Sequence, residues 1–388
     1  PLSKIEFPIE KNNSNNQLKI WCTNDYLNMS HNESVIEEMI EVIKKVGTGS
    51  GGTRNISGTT PYHQNLEKSI ANFHKKESAL IFTSAYVANQ TSIWTICKAF
   101  KNICVFSDEL NHASLIQGIK NSKAECKIFK HNNLDHLEEL LKSTEISRPK
   151  LIVFESLYSM EGTITKIDKY TKLAKKYNAL TYLDEVHAVG LYGKNGEGIA
   201  NKMGVENQID IINGTLAKAF GQIGGYIVAD NYLIDYIRSF APGFIFTTSI
   251  MPSVAAAATK SISIVKNAHK KREYIKEKAN YLRKQLSLNN IPFLNSNSHI
   301  VPVMVFKSQL AKSFSQKLLK NFQIYVQPIF YPTVPKNAAR LRFTITPKHK
   351  KNDIDELIIA LKIIFNSDRK NNTPNIIHNS PELITLHG

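Results

Sequence analysis

The sequence predicts an α/β protein in which a mostly parallel, doubly wound large domain precedes a smaller α+β C-terminal domain. Three observations predict it. Short apolar or β-branched runs at 79–82, 104–107, 150–154, 179–183 and 209–212 alternate with stretches of helical spacing, the rhythm of a sheet whose strands are joined by helical crossovers. The run in ALTYLDEVHAVG (179–190) delivers Asp184 at its carboxyl end, the edge at which open α/β sheets place their ligands. The stretch IDIINGTLAKAFGQIGGYI (209–227) reads as a strand, a tight loop carrying Lys218 and a return strand.

Taken in order, residues 1–20 are polar and Asn-rich and read as an arm lying across another surface; with the first helix they make up the segment 1–45. Residues 21–27 (WCTNDYL) read as a short buried segment ending in a turn. Val35, Ile36, Met39, Ile40 and Ile43 fall on one face of a helix over 34–46. The loop GTGSGGTRNISGTT (47–60) opens the large domain, assigned to 46–252. It ends in no Gly-Lys-Ser/Thr and so is not a Walker motif. It is either a flexible linker or a ligand loop, with Arg54 and Asn55 set between glycines where a backbone approaches a ligand closely.

A helix over 61–75, in which His63 reads as structural, precedes the strand 79–82 and a turn of small residues, Thr83-Ser84-Ala85-Tyr86, that opens a helix through Phe100. Such a turn exposes free amides and the positive end of a helix dipole, a seat for phosphate. The strand 104–107, a helix beginning in DELNHAS (108–114), the strand 150–154 and a helix over 169–177 lead to the Asp184 strand. Beyond the Lys218 loop, FIFTTS (244–249) is a short apolar segment ending in hydroxyls. One long lysine-rich helix is expected over 253–287. The small domain, assigned to 253–388, carries strands at 299–305, 324–326 and 341–346 and helices at 311–321 and 354–365, then a polar tail expected to be loosely held.

Composition excludes several function classes. The chain has 388 residues, 42% hydrophobic and 21% charged, which is an ordinary soluble globular balance, and no apolar run reaches membrane-spanning length. The start, PLSKIEFPIE, is neither a signal peptide nor an Arg-rich presequence. A cytoplasmic protein is expected, with the mitochondrial matrix as the alternative for a trimmed eukaryotic chain. Cys22, Cys97, Cys104 and Cys126 show no paired spacing, so neither a disulfide framework nor a metal site is expected. The net charge of +16 is spread over many segments, which argues against nucleic acid and suits a polyanionic small substrate such as a coenzyme A ester.

The chemistry centres on two residues. Lys218 is hemmed by Leu216, Ala217, Ala219 and Phe220; burial there lowers its pKa and favours the neutral amine that Schiff-base chemistry needs. Taken alone, it reads as a surface lysine in a glycine-rich turn. Asp184 precedes it by 34 residues, room for one helical crossover and a strand, so both reach one sheet edge. An imine-forming lysine and an acid that keeps a pyridine nitrogen protonated are the pair a pyridoxal phosphate enzyme requires. His112 is either an ordinary residue at a helix start or a ring that stacks on an aromatic cofactor.

The succession CTNDYL, GSGGTRNISGT, FTSAYVANQ, SDELNHASLI, FESLYSMEG, LDEVHAVGLYG, GTLAKAFG, GGYI, FIFTTS and LRFTITP resembles the α-oxoamine synthases, pyridoxal phosphate enzymes of the fold-type I, aminotransferase-like class. The resemblance runs in order over roughly residues 20–365. It implies a homodimeric acyltransferase with shared active sites. Lys218 would hold the cofactor and move the α-proton, Asp184 would pair with the ring nitrogen, and His112 would stack on the ring. His187 and Ser159 would bind its phenolic oxygen. The phosphate would rest on Ser84, Ala85, Tyr86 and Thr215, with Thr247 and Thr248 reaching over from the second subunit. Arg342 would clamp the substrate carboxylate, and Asn24, Thr53, Asn55, Ser107 and Thr333 would line the acyl-CoA side.

GSGGTRNISGT and YPTVP resemble the branch that condenses glycine with succinyl-CoA in heme biosynthesis, with Thr53, Arg54, Asn55 and Asn24 as donors to the succinyl carboxylate. A relative using another acyl-CoA, of the glycine C-acetyltransferase or amino-oxononanoate synthase type, is one alternative; an inactive basic binding protein is another. The chain departs from the family at Ala85 and Ala217, where glycine is usual, at Ala338-Ala339 ahead of Arg342, and at Cys126, where a basic residue is expected and Lys123 or Lys127 would substitute.

Overall fold

The computed structural model describes residues 18–371. In chain order its elements are β1 (Lys19–Ile20), α1 (Glu33–Val46), α2 (Pro61–His74), β2 (Ser78–Phe82), α3 (Ala85–Ala99), β3 (Cys104–Asp108), α4 (Ala113–Ser122), β4 (Glu125–Phe129), α5 (Leu134–Lys142), β5 (Lys150–Glu155), α6 (Ile167–Lys176), β6 (Leu180–Asp184) and α7 (Ile199–Lys202). They continue through β7 (Ile211–Thr215), β8 (Gly225–Ala229), α8 (Asn231–Phe240), α9 (Pro242–Ile245), α10 (Pro252–Lys266), α11 (His269–Leu288), β9 (Ile300–Phe306), α12 (Ser308–Phe322), β10 (Ile324–Tyr325), β11 (Pro328–Ile329), β12 (Ala339–Thr344) and α13 (Lys351–Asn371).

Seven strands form the large sheet in the order β2-β8-β7-β6-β5-β3-β4. All run parallel except β8, the return strand after the Lys218 loop, which is antiparallel to both neighbours. Both faces are covered. Ile81, Phe106, Ile152, Phe154, Leu183 and Ile212 point into one core, and their sequence neighbours Leu80, Val105, Val153, Tyr182 and Ile211 point into the other. A strand buried on both sides needs apolar residues without alternation, which is why these runs were legible. The C-terminal part is a three-stranded antiparallel sheet, β11-β12-β9, backed by α12 and α11, on which α13 packs. β1 pairs in parallel with β10, and α1 packs on α10.

Five expectations need correction. The single long helix over 253–287 is two, broken at Asn267-Ala268 between α10 and α11. The apolar face over 34–46 is only partly covered, with Val35 and Val42 buried but Ile36 and Ile40 exposed. The apolar 244–249 segment is only partly covered: it runs out of the end of α9, burying Phe244 and exposing Phe246. The helix begun in DELNHAS starts at Ala113, with His112 as its N-cap. The loose tail is expected beyond Asn366, but α13 runs on to Asn371; the rest of that expectation and the one for the first 17 residues lie outside the described residues.

Candidate active site

The Lys218 loop is built before it is functional. Thr215 Oγ1 accepts from Ala217 N at 3.1 Å and donates to Gly224 O at 3.2 Å. Leu216 N donates to Gly224 O and Gln222 N to Leu216 O, while the Leu216, Ala219 and Phe220 side chains are buried. Gly221, at φ 66°, lies so close to the 29–30 backbone that a Cβ there would fall 2.3 Å from Ser30 N. The loop therefore has one conformation, and it leaves Lys218 half-buried with its amine pKa lowered by burial and, less strongly, by Arg342, against opposing pulls from Asp184 and Glu155. That supports the neutral amine over a solvated surface charge.

Asp184 ends β6 in a row formed by three adjacent strands, with Asn213 of β7 on one side and Glu155 of β5 on the other. Its carboxylate is 2% exposed and takes Asn89 Nδ2 at 2.6 Å and Asn213 Nδ2 at 3.2 Å on Oδ2, and Val186 N at 2.9 Å on Oδ1. A carboxylate has about four acceptor sites. Three are filled, and the one left on Oδ1 is available to a ligand N–H. Glu155, a buried acid absent from the sequence expectations, accepts His112 N at 2.7 Å. Its pKa is pushed up by burial and by the Asp184 charge beside it.

His112 faces Tyr86 edge-on, ring centroids 6.2 Å apart. Burial holds its pKa down, with Asp184 pulling up and Lys218 pushing down. At the start of α3, Ser84 caps Val87 N, while the first-turn amides of Ala85 and Tyr86 have no intrahelical acceptor. A Cβ on Gly225 of β8 would fall 2.1 Å from Ala85 N, so glycine is what allows this turn to close on the sheet. Lys218, Asp184, His112 and the Ser84–Tyr86 turn are thus assembled at one sheet edge.

On the facing side, Arg342 of β12 donates through Nε to Ser159 O at 2.7 Å, through Nη2 to Tyr26 Oη at 3.1 Å and through Nη1 to Asn24 Oδ1 at 3.3 Å. Its support therefore comes from the 24–26 turn and the Ser159 carbonyl, and Ala338-Ala339 leave nothing missing. Tyr26 is wholly buried, and its hydroxyl stands 2.7 Å from His187 Nδ1. The Tyr26 oxygen accepts from Arg342, and its single proton faces two acceptors, His187 Nδ1 at 2.7 Å and Asn24 Oδ1 at 3.2 Å. Burial and the Lys218 and Arg342 charges hold this imidazole neutral. Tyr26 was overlooked in the sequence although it stands in CTNDYL: its role depends on two partners more than 150 residues away.

The other expected residues fall elsewhere. Arg54 is not a donor to a ligand: it is buried and bound through both Nη atoms to Glu67, at 2.9 and 3.0 Å, and through Nε to Thr59. Thr53 bridges Thr248 in the same chain, and its Oγ1 is buried without a partner among the described residues. Asn55, Thr248 and Thr333 are exposed, and Thr247 is half-buried. Ser107 is buried and accepts from Asn111 Nδ2 at 2.9 Å. Lys127 is turned onto Ser143 and Thr144, and Cys126 lies exposed on the edge strand β4.

A half-buried lysine in a strand–loop–strand, a strand-end carboxylate with one open acceptor and an amide-lined helix start define a class of protein. The chain belongs to the aminotransferase class I and II family, whose model matches residues 17–361. The particular relatives it is similar to are 5-aminolevulinate synthases: it is 50% identical to that of Rickettsia felis over 92% of this chain and 86% of the relative. It is 48% identical to that of Paracoccus denitrificans over 92% and 87%. Among solved structures it resembles a serine palmitoyltransferase from S. paucimobilis with bound PLP, at TM-score 0.87 and 31% identity, covering 90% of this chain and 88% of that one. It also resembles 8-amino-7-oxononanoate synthase from Francisella tularensis, at TM-score 0.78 and 26% identity, covering 90% and 98%.

Proposed function

We propose that the chain is a pyridoxal phosphate-dependent 5-aminolevulinate synthase, condensing glycine with succinyl-CoA and releasing CoA and carbon dioxide. The observation that carries this reading is the juxtaposition of half-buried Lys218 with Asp184, whose remaining acceptor site suits a protonated ring nitrogen. The residues fit the cofactor. Ser84, Ala85 and Tyr86 would hold its phosphate, His112 its ring face, Asp184 its nitrogen and His187 its phenolic oxygen. Thr215 would donate its hydroxyl to the phosphate in exchange for its 3.2 Å bond to Gly224 O. When bound, the cofactor supplies an electron sink for the pair left first by the α-proton and later by the carboxylate of glycine.

The chain's own residues do the rest. Arg342 would bind the glycine carboxylate, a bidentate task for a planar guanidinium already oriented by Tyr26 and Asn24. Lys218 Nζ, neutral when released, takes the α-proton. Asp184 sits among its amide donors, and burial raises the pKa of the neighbouring Glu155, which disfavours a second charge beside it. The succinyl carboxylate must be met by donors once it leaves water. Asn24, Thr53 and Asn55 are the groups for it; the partnerless Thr53 hydroxyl supports this. Thr333 would lie along the CoA chain, while the Ser107 and Arg54 groups are already engaged inside the fold.

We infer a homodimer in which Thr247 and Thr248 complete the partner's phosphate site. Exposed Phe246 and Ile56, at 81% and 86%, lie beside them and favour a covered surface. Incubating the purified protein with glycine, succinyl-CoA and pyridoxal phosphate should give 5-aminolevulinate, CoA and carbon dioxide in equal amounts. CoA release without aminolevulinate would contradict the assignment.

A further inference from the structure

A continuous hydrogen-bond relay joins the carboxylate Asp184 to the imidazole His112, and Asn89 of α3 is its hub. Asn89, Ser114, Tyr182 and Asp184 are all at most 2% exposed, so no competing water enters the accounting. Asn89 Nδ2 lies 2.6 Å from Asp184 Oδ2 and 3.0 Å from Ser114 Oγ; its Oδ1 lies 3.0 Å from Tyr182 Oη. An ionised carboxylate only accepts. The amide's NH2 must therefore face Asp184, and the Tyr182 hydroxyl must donate to Oδ1.

The remaining polarities follow. Ser114 Oγ accepts from Asn89, so its own proton is free for His112 Nδ1, 2.8 Å away. Ser114 N, which can only donate, also points at that nitrogen from 3.2 Å. With two donors aimed at it, Nδ1 carries no proton, and a neutral His112 holds its proton on Nε2. Lys218, Asp184 and Glu155 are the charged or ionisable groups that couple to His112 or abut it.

We propose that Asn89 is a positioning residue that, by orienting the Ser114 hydroxyl, reinforces the Nε2–H tautomer of His112 that the Ser114 backbone N–H also favours, while holding Asp184 in place. Its role in the reaction rests on the reading of Asp184 and His112 as cofactor neighbours. The tautomer itself does not, and a merely structural asparagine would leave it unchanged. His112 is then a hydrogen-bond donor at Nε2, unable to take a proton there while neutral.

The test is nitrogen-15 spectroscopy of histidine-labelled holoenzyme near neutral pH, with His112 assigned by its loss in His112→Asn, together with the dissociation constant for pyridoxal phosphate. Wild type should show His112 protonated on Nε2. Ser114→Ala leaves only the 3.2 Å backbone donor on Nδ1 and should admit a detectable Nδ1–H minor form while keeping the cofactor affinity, and Ser114→Thr, which retains the hydroxyl, should restore the single form. Asn89→Ala, which leaves the Ser114 hydroxyl unoriented, should admit the same minor form and also weaken the cofactor by roughly tenfold or more, the loss of one charge-assisted hydrogen bond. A wild-type proton on Nδ1, or an Asn89→Ala protein with wild-type tautomer and affinity, overturns the proposal. If Asn89→Ala does not fold, the Ser114 pair decides. If wild type takes up no cofactor, the cofactor reading fails, and the tautomer measurement on the same protein still decides the relay.

Discussion

Tyr26 Oη stands 2.7 Å from His187 Nδ1 and receives Arg342 Nη2 at 3.1 Å, so one buried phenol ties the residue assigned to the cofactor to the residue assigned to glycine. Tyr26→Phe keeps the ring that packs edge-on against His299 at 4.4 Å and removes only the hydroxyl. Arg342 loses an acceptor and His187 its 2.7 Å partner on Nδ1. KM for glycine should rise roughly tenfold to a hundredfold, about 1.5–3 kcal/mol for a hydrogen bond to a charged group, with the folded state intact by circular dichroism. An unchanged KM would remove Tyr26 from the site.

Lys218→Ala should abolish turnover, because no other amine lies in the cluster to take the α-proton. The loop is held by Thr215, Leu216 and Phe220, so the protein should fold and still bind pyridoxal phosphate without the covalent link. Measurable aminolevulinate formation by the purified variant would sink the assignment of the lysine.

Asp184→Asn preserves shape, but a neutral amide does not hold a ring nitrogen protonated. A loss of roughly a hundredfold or more in kcat is expected, at the lower end of what a displaced proton costs in general acid–base catalysis. Wild-type rates of glycine α-proton exchange in this variant would place the electron-sink function elsewhere.

The Arg54–Glu67 pair separates structure from specificity. Both groups are buried, and Glu67 also accepts Ile81 N and Arg238 Nη2. Removing one partner strands a buried charge at a cost of about 3–5 kcal/mol. Arg54→Ala should therefore lower the denaturation midpoint sharply and leave the ratio of succinyl-CoA to acetyl-CoA use unchanged among molecules that stay folded. A changed ratio at wild-type stability would return Arg54 to the substrate.

His349 gives a pH dependence with a definite sign. It stacks on Trp21 at 4.1 Å and bonds Ile20 O and Thr346 N, and burial brings its pKa down from 6.5 to about 4. Between those values the unfolded chain binds more protons, so this stability is full above pH 6.5 and is lost as pH falls toward 4. The loss is on the order of 3 kcal/mol at most. His349→Gln should flatten the acid limb of the stability profile; an unaltered limb would assign it to other histidines.

Much of this was legible in the sequence, for reasons that particular residues make plain. Strands buried on both faces, such as β5 with its run from Lys150 to Glu155, announce themselves as unbroken apolar runs. The edge strand β4 does not: Glu125, Cys126 and Ile128 are exposed, and its sequence reads as surface. The break between α10 and α11 carries no proline or glycine, only Asn267-Ala268, so helical spacing alone joined them. Lys218 and Asp184 were readable because each sits at the end of its own strand. Arg54 misled because a basic residue among glycines resembles a ligand group; its partner Glu67 lies one helix away, and only the fold shows that the pair is closed. Asn89 and Glu155 gave no separate signal, since their function lies wholly in which atoms they face.

The most direct test of the central claim is a donor panel: kcat/KM of the wild-type enzyme with glycine and, in turn, succinyl-CoA, acetyl-CoA and a long-chain acyl-CoA, read as aminoketone formed. If Asn24, Thr53 and Asn55 meet a terminal carboxylate, succinyl-CoA should be preferred by roughly tenfold to a hundredfold, and Thr53→Ala or Asn55→Ala should shrink that preference by weakening the succinyl ester alone. Equal or better use of acetyl-CoA by the intact enzyme would contradict the account.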